Sequence, residues 1–234
     1  LNELPLSNFI HHRPEMFLSK FKIFLPNRPL PLRILRGPFR GSHPVMNPRH
    51  SLREVAGLYE RELNQWIEEA IRRTDAVIDV GANDGYFCFG CAAAFRRIRK
   101  SGRIVAIEAQ EQHIGKLECS LTTESTIDVP ISLIHAFAGA TDGDGFVTLD
   151  GLDDSISRTD TLIKIDVEGA EIDVLDGARG WMNPSNLFVI EVHREEFLSS
   201  ISDRFAAAGM HVLQINQQPH PLLGRERRDL ENWW

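Results

Sequence analysis

Cysteine is scarce. The chain has three, Cys88, Cys91 and Cys119, among 234 residues. An odd, small number excludes a disulfide framework and points to a reducing, cytoplasmic setting. Cys88 and Cys91 form a C-x-x-C, but no second pair stands at zinc spacing. On a helix the two thiols sit at i and i+3, where they are expected to pack as small apolar groups. Long apolar runs are missing too. No stretch approaches the ~20 residues that a membrane helix needs, so no membrane span is expected. Pro5, His11, His12, Arg13 and Pro14 interrupt any signal-peptide-like apolar core at the N-terminus. Proline thins out along the chain, with eight of the 12 before residue 51. That first segment reads as an extended, turn-rich arm, with one short helix expected at about residues 15–24.

Basic charge is in short supply over most of the chain. Residues 1–50 carry eight Lys or Arg against two acids, whereas the rest carries 18 against 31. An acidic body lacks the basic footprint of a nucleic-acid binder, so no nucleic-acid partner is expected. The basic arm is expected to settle on that acidic body. The terminal pair Trp233 and Trp234 is expected to pack back or to form a homo-oligomer interface, because exposed paired indoles are costly. What the chain does have is 42% hydrophobic residues, enough for a sizeable core.

After residue 50 the texture changes. Ser51 followed by Glu54 is a capping-box pattern. Val55, Leu58, Leu63, Trp66, Ile67, Ala70 and Ile71 then recur at helical spacing, which predicts one or two helices ending near Arg73. Residues 1–74 read as a Pro-rich arm with a helical cap, and residues 75–234 as the main domain. In that domain strands are expected at residues 76–80, 103–108, 131–137, 162–166 and 187–193. Helices are expected at residues 86–99, 111–121, 170–178 and about 194–208. A closing antiparallel hairpin is expected at residues 211–215 and 221–223. Alternation of strands and helices predicts an α/β, Rossmann-like, mainly parallel sheet with helices on both faces.

Ligands in such sheets bind beyond the carboxyl ends of the strands. The first strand runs into Asp79, Val80, Gly81, Ala82, Asn83, Asp84 and Gly85. The spacing is G-x-N-x-G rather than the G-x-G-x-x-G of a dinucleotide site, which argues against an NAD-dependent oxidoreductase. Asp79 and Asp84 make the turn acidic, which repels pyrophosphate and suits a ligand carrying an amino group and a sulfonium. The second strand ends in Glu108, an acid placed to accept hydrogen bonds from both ribose hydroxyls of an adenosine.

Residues 79–85 resemble motif I of the class I methyltransferases. More specifically, residues 162–178 (LIKIDVEGAEIDVLDGA) resemble the signature of the FkbM-type methyltransferases. So do residues 36–41 (RGPFRG), 57–60 (GLYE) and 188–193 (FVIEVH), and the resemblance spans roughly residues 33–195. It implies a class I fold and O-methyl transfer from S-adenosyl-L-methionine. It places Glu108, with Ala109, at the ribose, the loop Gly81, Ala82, Asn83 and Gly85 at the methionine part, and Tyr59 and Glu60 near the cofactor. Adenine is implied near the end of the third strand, around residues 135–138, with His135 and Ala136 as the contacts. The acceptor implied is a hydroxyl on a sugar, polyketide or other secondary metabolite, whether small molecule or glycan. A scaffold that binds the cofactor without turnover is the alternative within the same fold.

The fourth and fifth strands carry charge where covered strands are usually apolar. Lys164, Asp166 and Glu168 alternate with apolar residues, as do Glu191 and His193, so each set shares a face. Neighbouring strands would bring the five together at the crevice. Three readings follow. One is a structural network with Lys164 paired to Glu191. The second makes His193 a general base oriented by Asp166 or Glu191. The third is a divalent metal, Mg²⁺ or Mn²⁺, on Asp166, Glu168 and His193, and it is ranked below base catalysis. Glu171, in the first turn of a helix, is assigned to the helix dipole.

Overall fold

The computed structural model describes residues 23–123, 129–153, 156–217 and 220. Short β-branched and apolar runs form the centre. They are β3 (Ala76–Val80), β4 (Arg103–Glu108), β5 (Ile131–His135), β8 (Thr161–Ile165) and β9 (Leu187–Ile190). All pair in parallel, in the order β5-β4-β3-β8-β9. The central three strands are buried on both faces almost throughout. Such burial requires helices on each side.

On one face lie α3 (Tyr86–Arg97), α4 (Glu111–Thr123) and α2 (Asn64–Arg73), packed through Ile67, Ile71, Phe89, Phe95 and Leu117 onto Val77, Ile104 and Leu162. On the other face α5 (Glu171–Asp176) and α6 (Phe197–Ala207) cover Ile78, Ile107, Ile163 and Ile165, with Trp181 filling the corner. Trp181 is essentially buried, and its Nε1 donates to the Leu149 carbonyl at 2.8 Å. Cys88 and Cys91 are free and fully buried in α3, as the packing reading expected. Burial pushes both thiols well above their ordinary pKa.

Several expectations need correction. The capping box does not form: the N-cap Ser51 of α1 (Leu52–Val55) makes no side-chain cap bond. Ser51 and Glu54 line a cavity instead. The third strand stops at His135. Phe137 and Ala138 (β6) instead pair with Phe146 and Val147 (β7) in a separate two-stranded sheet. The fifth ends at Ile190, so Glu191 and His193 lie just beyond the ladder. Among the described residues the antiparallel pair of strands is N-terminal, β1 (Leu30–Pro31) with β2 (Val45–Met46). Residues 211–217 form no strand, and residues 221–223 lie outside the described residues, as do most of residues 15–24 and both terminal tryptophans. Among the described residues no helix is long and apolar enough to cross a membrane.

Candidate active site

The sheet order reverses between β3 and β8, since β4 and β5 continue on one side of β3 and β8 and β9 on the other. That is a topological switch point, where the two strand ends diverge and open a crevice. Gly81, one residue past β3, adopts φ +79. A Cβ there would stand 1.9 Å from the Asp166 carbonyl oxygen. The glycine is thus needed so that the loop can press against the end of β8, and the amide of Asp166 donates to Val80 at 3.0 Å across the same seam.

Two adjoining cavities open here, both lined by Gly81, Asn83 and Asp166. One, of about 230 Å³, lies over β4 and is lined also by Glu108, Ala109, Ala136 and Phe137. Glu108 is buried, and its two oxygens accept the backbone N–H groups of Asn83 and Gln110, each at 2.8 Å. The carboxylate is therefore held rigidly while each oxygen keeps a lone pair for a ligand hydroxyl. The other cavity, of about 100 Å³, is lined by Tyr59, Glu60, Ala82, Tyr86, Lys164 and Asp166. Tyr59 and Tyr86 meet edge to face at 5.6 Å. The charge of Glu60, together with burial, pushes the Tyr59 hydroxyl well above its ordinary pKa, so it remains a donor.

Not every residue singled out from sequence reaches a cavity. His135 does not line the cavity over β4; its Nε2 lies 3.1 Å from the Ala109 carbonyl oxygen, and the next residue, Ala136, takes the lining position. Asp79 lines neither cavity. It is fully buried beneath α3, near Cys88 and Cys91, and neither oxygen has a hydrogen-bond partner. The Lys164 ammonium, directly opposite it in the ladder, stands 3.9 Å away. Burial outweighs that ammonium and raises the Asp79 pKa from 3.8 to about 6. Lys164 hydrogen-bonds Asp166 instead, at 2.9 Å. It remains charged, because the attraction of Asp166 and Asp79 overcomes its desolvation.

The charged group at the β8 and β9 ends differs in membership from the expected one. Donor atoms of Asp166, Glu191 and His193 all lie within 4.8 Å of one another. Glu168 is outside this set. The strand ends at Ile165, and Glu168 takes a positive φ of +39, so strand alternation no longer governs where it sits. It lines the cavity over β4. His193 Nε2 stands 3.7 Å from Asp166 Oδ1, and Nδ1 stands 2.6 Å from Glu171 Oε1. Sequence reasoning missed Glu171. The histidine is desolvated, which lowers its pKa, but the hydrogen bond to Glu171 and the charges of Glu191 and Asp166 raise it on balance. Asp166 is desolvated as well, yet the ammonium of Lys164 holds its carboxyl below the ordinary value.

No protein-family model matches the chain, and no curated protein does. Solved structures do. The FkbM methyltransferase of Methylobacillus flagellatus KT superposes with a TM-score of 0.54 at 19% identity, over 69% of this chain and 43% of that one. The C-terminal domain of precorrin-6Y C5,15-methyltransferase from Rhodobacter capsulatus gives 0.48 at 18% identity, over 72% and 83%. A SAM-dependent methyltransferase from Agrobacterium tumefaciens gives 0.46 at 13% identity, over 72% and 58%. On the first of these superpositions the chain shares the Rossmann-like fold of that methyltransferase, which agrees at the level of fold with the resemblance read from residues 162–178. It spans less than half the length of the first of these neighbours.

Proposed function

We propose that the chain is an S-adenosyl-L-methionine-dependent methyltransferase acting on a hydroxyl of a sugar, polyketide or other secondary metabolite. The observation that carries the cofactor reading is Glu108, whose carboxylate is fixed by two backbone N–H groups at the tip of β4, beside the Gly81 loop. The donor set fits this cofactor. Glu108 would hold the ribose hydroxyls, Ala136 and Phe137 would flank the adenine, and Asp166, Glu60 and Tyr59 would face the methionine end. The cofactor supplies an electrophilic methyl group on a cationic sulfur. The acidic lining suits that charge, and it also explains why pyrophosphate is a poor fit.

The hydroxyl acceptor is inferred from His193. Transfer to a hydroxyl requires removal of its proton, and a largely buried imidazole beside the shared seam can take it. Asp166 and Glu191 would stabilise the imidazolium that forms. Lys164 holds Asp166 in place from beneath. A second reading puts a divalent cation on Asp166, Glu191 and His193. The proximity of the three donor atoms favours it, and oxygen donors with one imidazole suit Mg²⁺ or Mn²⁺.

The test of the cofactor reading is Glu108→Ala. Calorimetric titration should show binding of S-adenosylhomocysteine weakened more than tenfold, ~1.4 kcal/mol. Unchanged affinity would remove Glu108 from the ribose and with it the main support for this cofactor.

A further inference from the structure

We propose that Glu171 is the positioning residue of this site: its buried carboxylate accepts a hydrogen bond from His193 Nδ1–H and so leaves Nε2 as the ring's open lone pair beside Asp166. The assignment rests on the transfer reading for its chemical purpose, and on geometry for everything else.

An acid in a helix's first turn is normally solvated and gains ~0.3–1 kcal/mol from the helix dipole. Glu171 is instead completely buried, and desolvating a carboxylate costs several times that amount unless hydrogen bonds replace the water. Its Oε1 provides the replacement. It accepts the backbone N–H of Gly169 at 3.0 Å and that of His193 at 3.3 Å, and it lies 2.6 Å from His193 Nδ1. Two of these donors are backbone amides, so the oxygen is fixed whatever the ring does, and the ring must adapt to it.

Those contacts decide the tautomer. Oε1 already receives two backbone N–H groups, so it meets the ring as an acceptor. Nδ1 must then carry hydrogen, and in the neutral ring Nε2 is bare. Nε2 looks onto Asp166 Oδ1 at 3.7 Å, beyond hydrogen-bond length, while Oδ2 of the same carboxylate is engaged by Lys164. One bare nitrogen and one carboxylate oxygen thus face each other beside the cavity that Asp166 lines. That is where an acceptor hydroxyl can lose its proton. A histidine without Glu171 has no comparable reason to keep Nε2 free of hydrogen.

The test uses the full chain with ¹⁵N-labelled histidine, at a pH where the ring is neutral. His193 is assigned by the signals lost in His193→Gln. In the wild type Nδ1 should resonate as a protonated nitrogen and Nε2 as a bare one. Glu171→Gln, which retains an acceptor oxygen, should keep that pattern. Glu171→Ala should raise the Nε2–H population severalfold, while affinity for S-adenosylhomocysteine stays within about threefold, since Glu171 lines neither cavity. An Nε2–H tautomer in the wild type overturns the proposal, as does an unaltered ring in Glu171→Ala. If the alanine variant does not fold, the wild-type and glutamine spectra decide. Failure of the wild type to bind S-adenosylhomocysteine overturns the cofactor reading, and the ring signals report separately.

Discussion

Asp79 is the most exposed point of the account to experiment, although its side chain is wholly enclosed. The carboxyl is fully buried without a hydrogen-bond partner, and the nearby ammonium of Lys164 is committed to Asp166. The pKa rises from 3.8 to about 6. A raised acid binds its proton more tightly in the native state than in the unfolded chain. Its stabilising contribution is therefore complete below pH 3.8 and is lost as pH rises through about 6. At 1.36 kcal/mol per pH unit of displacement, the ionised form carries a penalty of ~3 kcal/mol relative to the protonated one. Asp79→Asn removes the titration while keeping the shape. Its own packing penalty does not depend on pH, so it cancels when the wild type and the variant are compared at two pH values. Urea unfolding at about pH 7.5 and pH 4.5 should show the wild type gaining ~2 kcal/mol on the variant at the lower pH, the part of the penalty that falls between those conditions. A difference between the two proteins that does not change with pH, or that changes in the opposite sense, would refute the account of Asp79 as a strained buried acid.

Three further outcomes follow from the same geometry. Gly81→Ala places a Cβ 1.9 Å from a backbone oxygen at a φ of +79, and should destabilise by at least ~2 kcal/mol in urea unfolding. An unchanged midpoint would mean that the loop does not press on the end of β8. His193 should titrate above 6.5 by NMR and lower in Glu171→Gln, because that hydrogen bond and the surrounding acids Glu191 and Asp166 favour the imidazolium. The corresponding stability is present below the unfolded pKa and lost as pH rises through the folded one, and a wild-type value at or below 6.5 would contradict the ion-pair geometry. A thiol reagent should label one cysteine per native chain, Cys119, with Cys88 and Cys91 protected until unfolding. Rapid labelling of all three would show that α3 is not packed as described.

The sheet was legible because its strands are short apolar runs punctuated by glycine. Residues 76–80 and 103–108 form strands with the bounds expected. Glu108 was legible for the same reason, as the acid that ends such a run. The capping box at Ser51 was misleading, since a four-residue helix beside a cavity leaves both side chains with other surroundings. His135 and Ala136 were named together, but only the chain's exit from β5 decides which of them faces the crevice. Asp79 looked like a ligand contact because it abuts the glycine turn. Its direction depends on the pleat, which sends it beneath α3 and opposite Lys164. Glu171 is not legible in the sequence because a first-turn acid has an adequate local explanation. Its contact with His193 spans 22 residues and exists only once α5 and the end of β9 are brought together. The metal candidates changed for a similar reason. Alternation does not extend past the end of β8, where the backbone at Glu168 turns into a positive φ.

In the proposed reading the crevice between β3 and β8, with Glu108 at its rim, receives an adenosyl cofactor. The direct measurement is calorimetric titration of the purified chain with S-adenosyl-L-methionine, S-adenosylhomocysteine and NAD, each with and without EDTA. Saturable one-to-one binding of both adenosyl ligands and none of NAD is expected. Loss of binding on chelation would favour the cation on Asp166, Glu191 and His193. Binding of NAD without either adenosyl ligand would contradict the account.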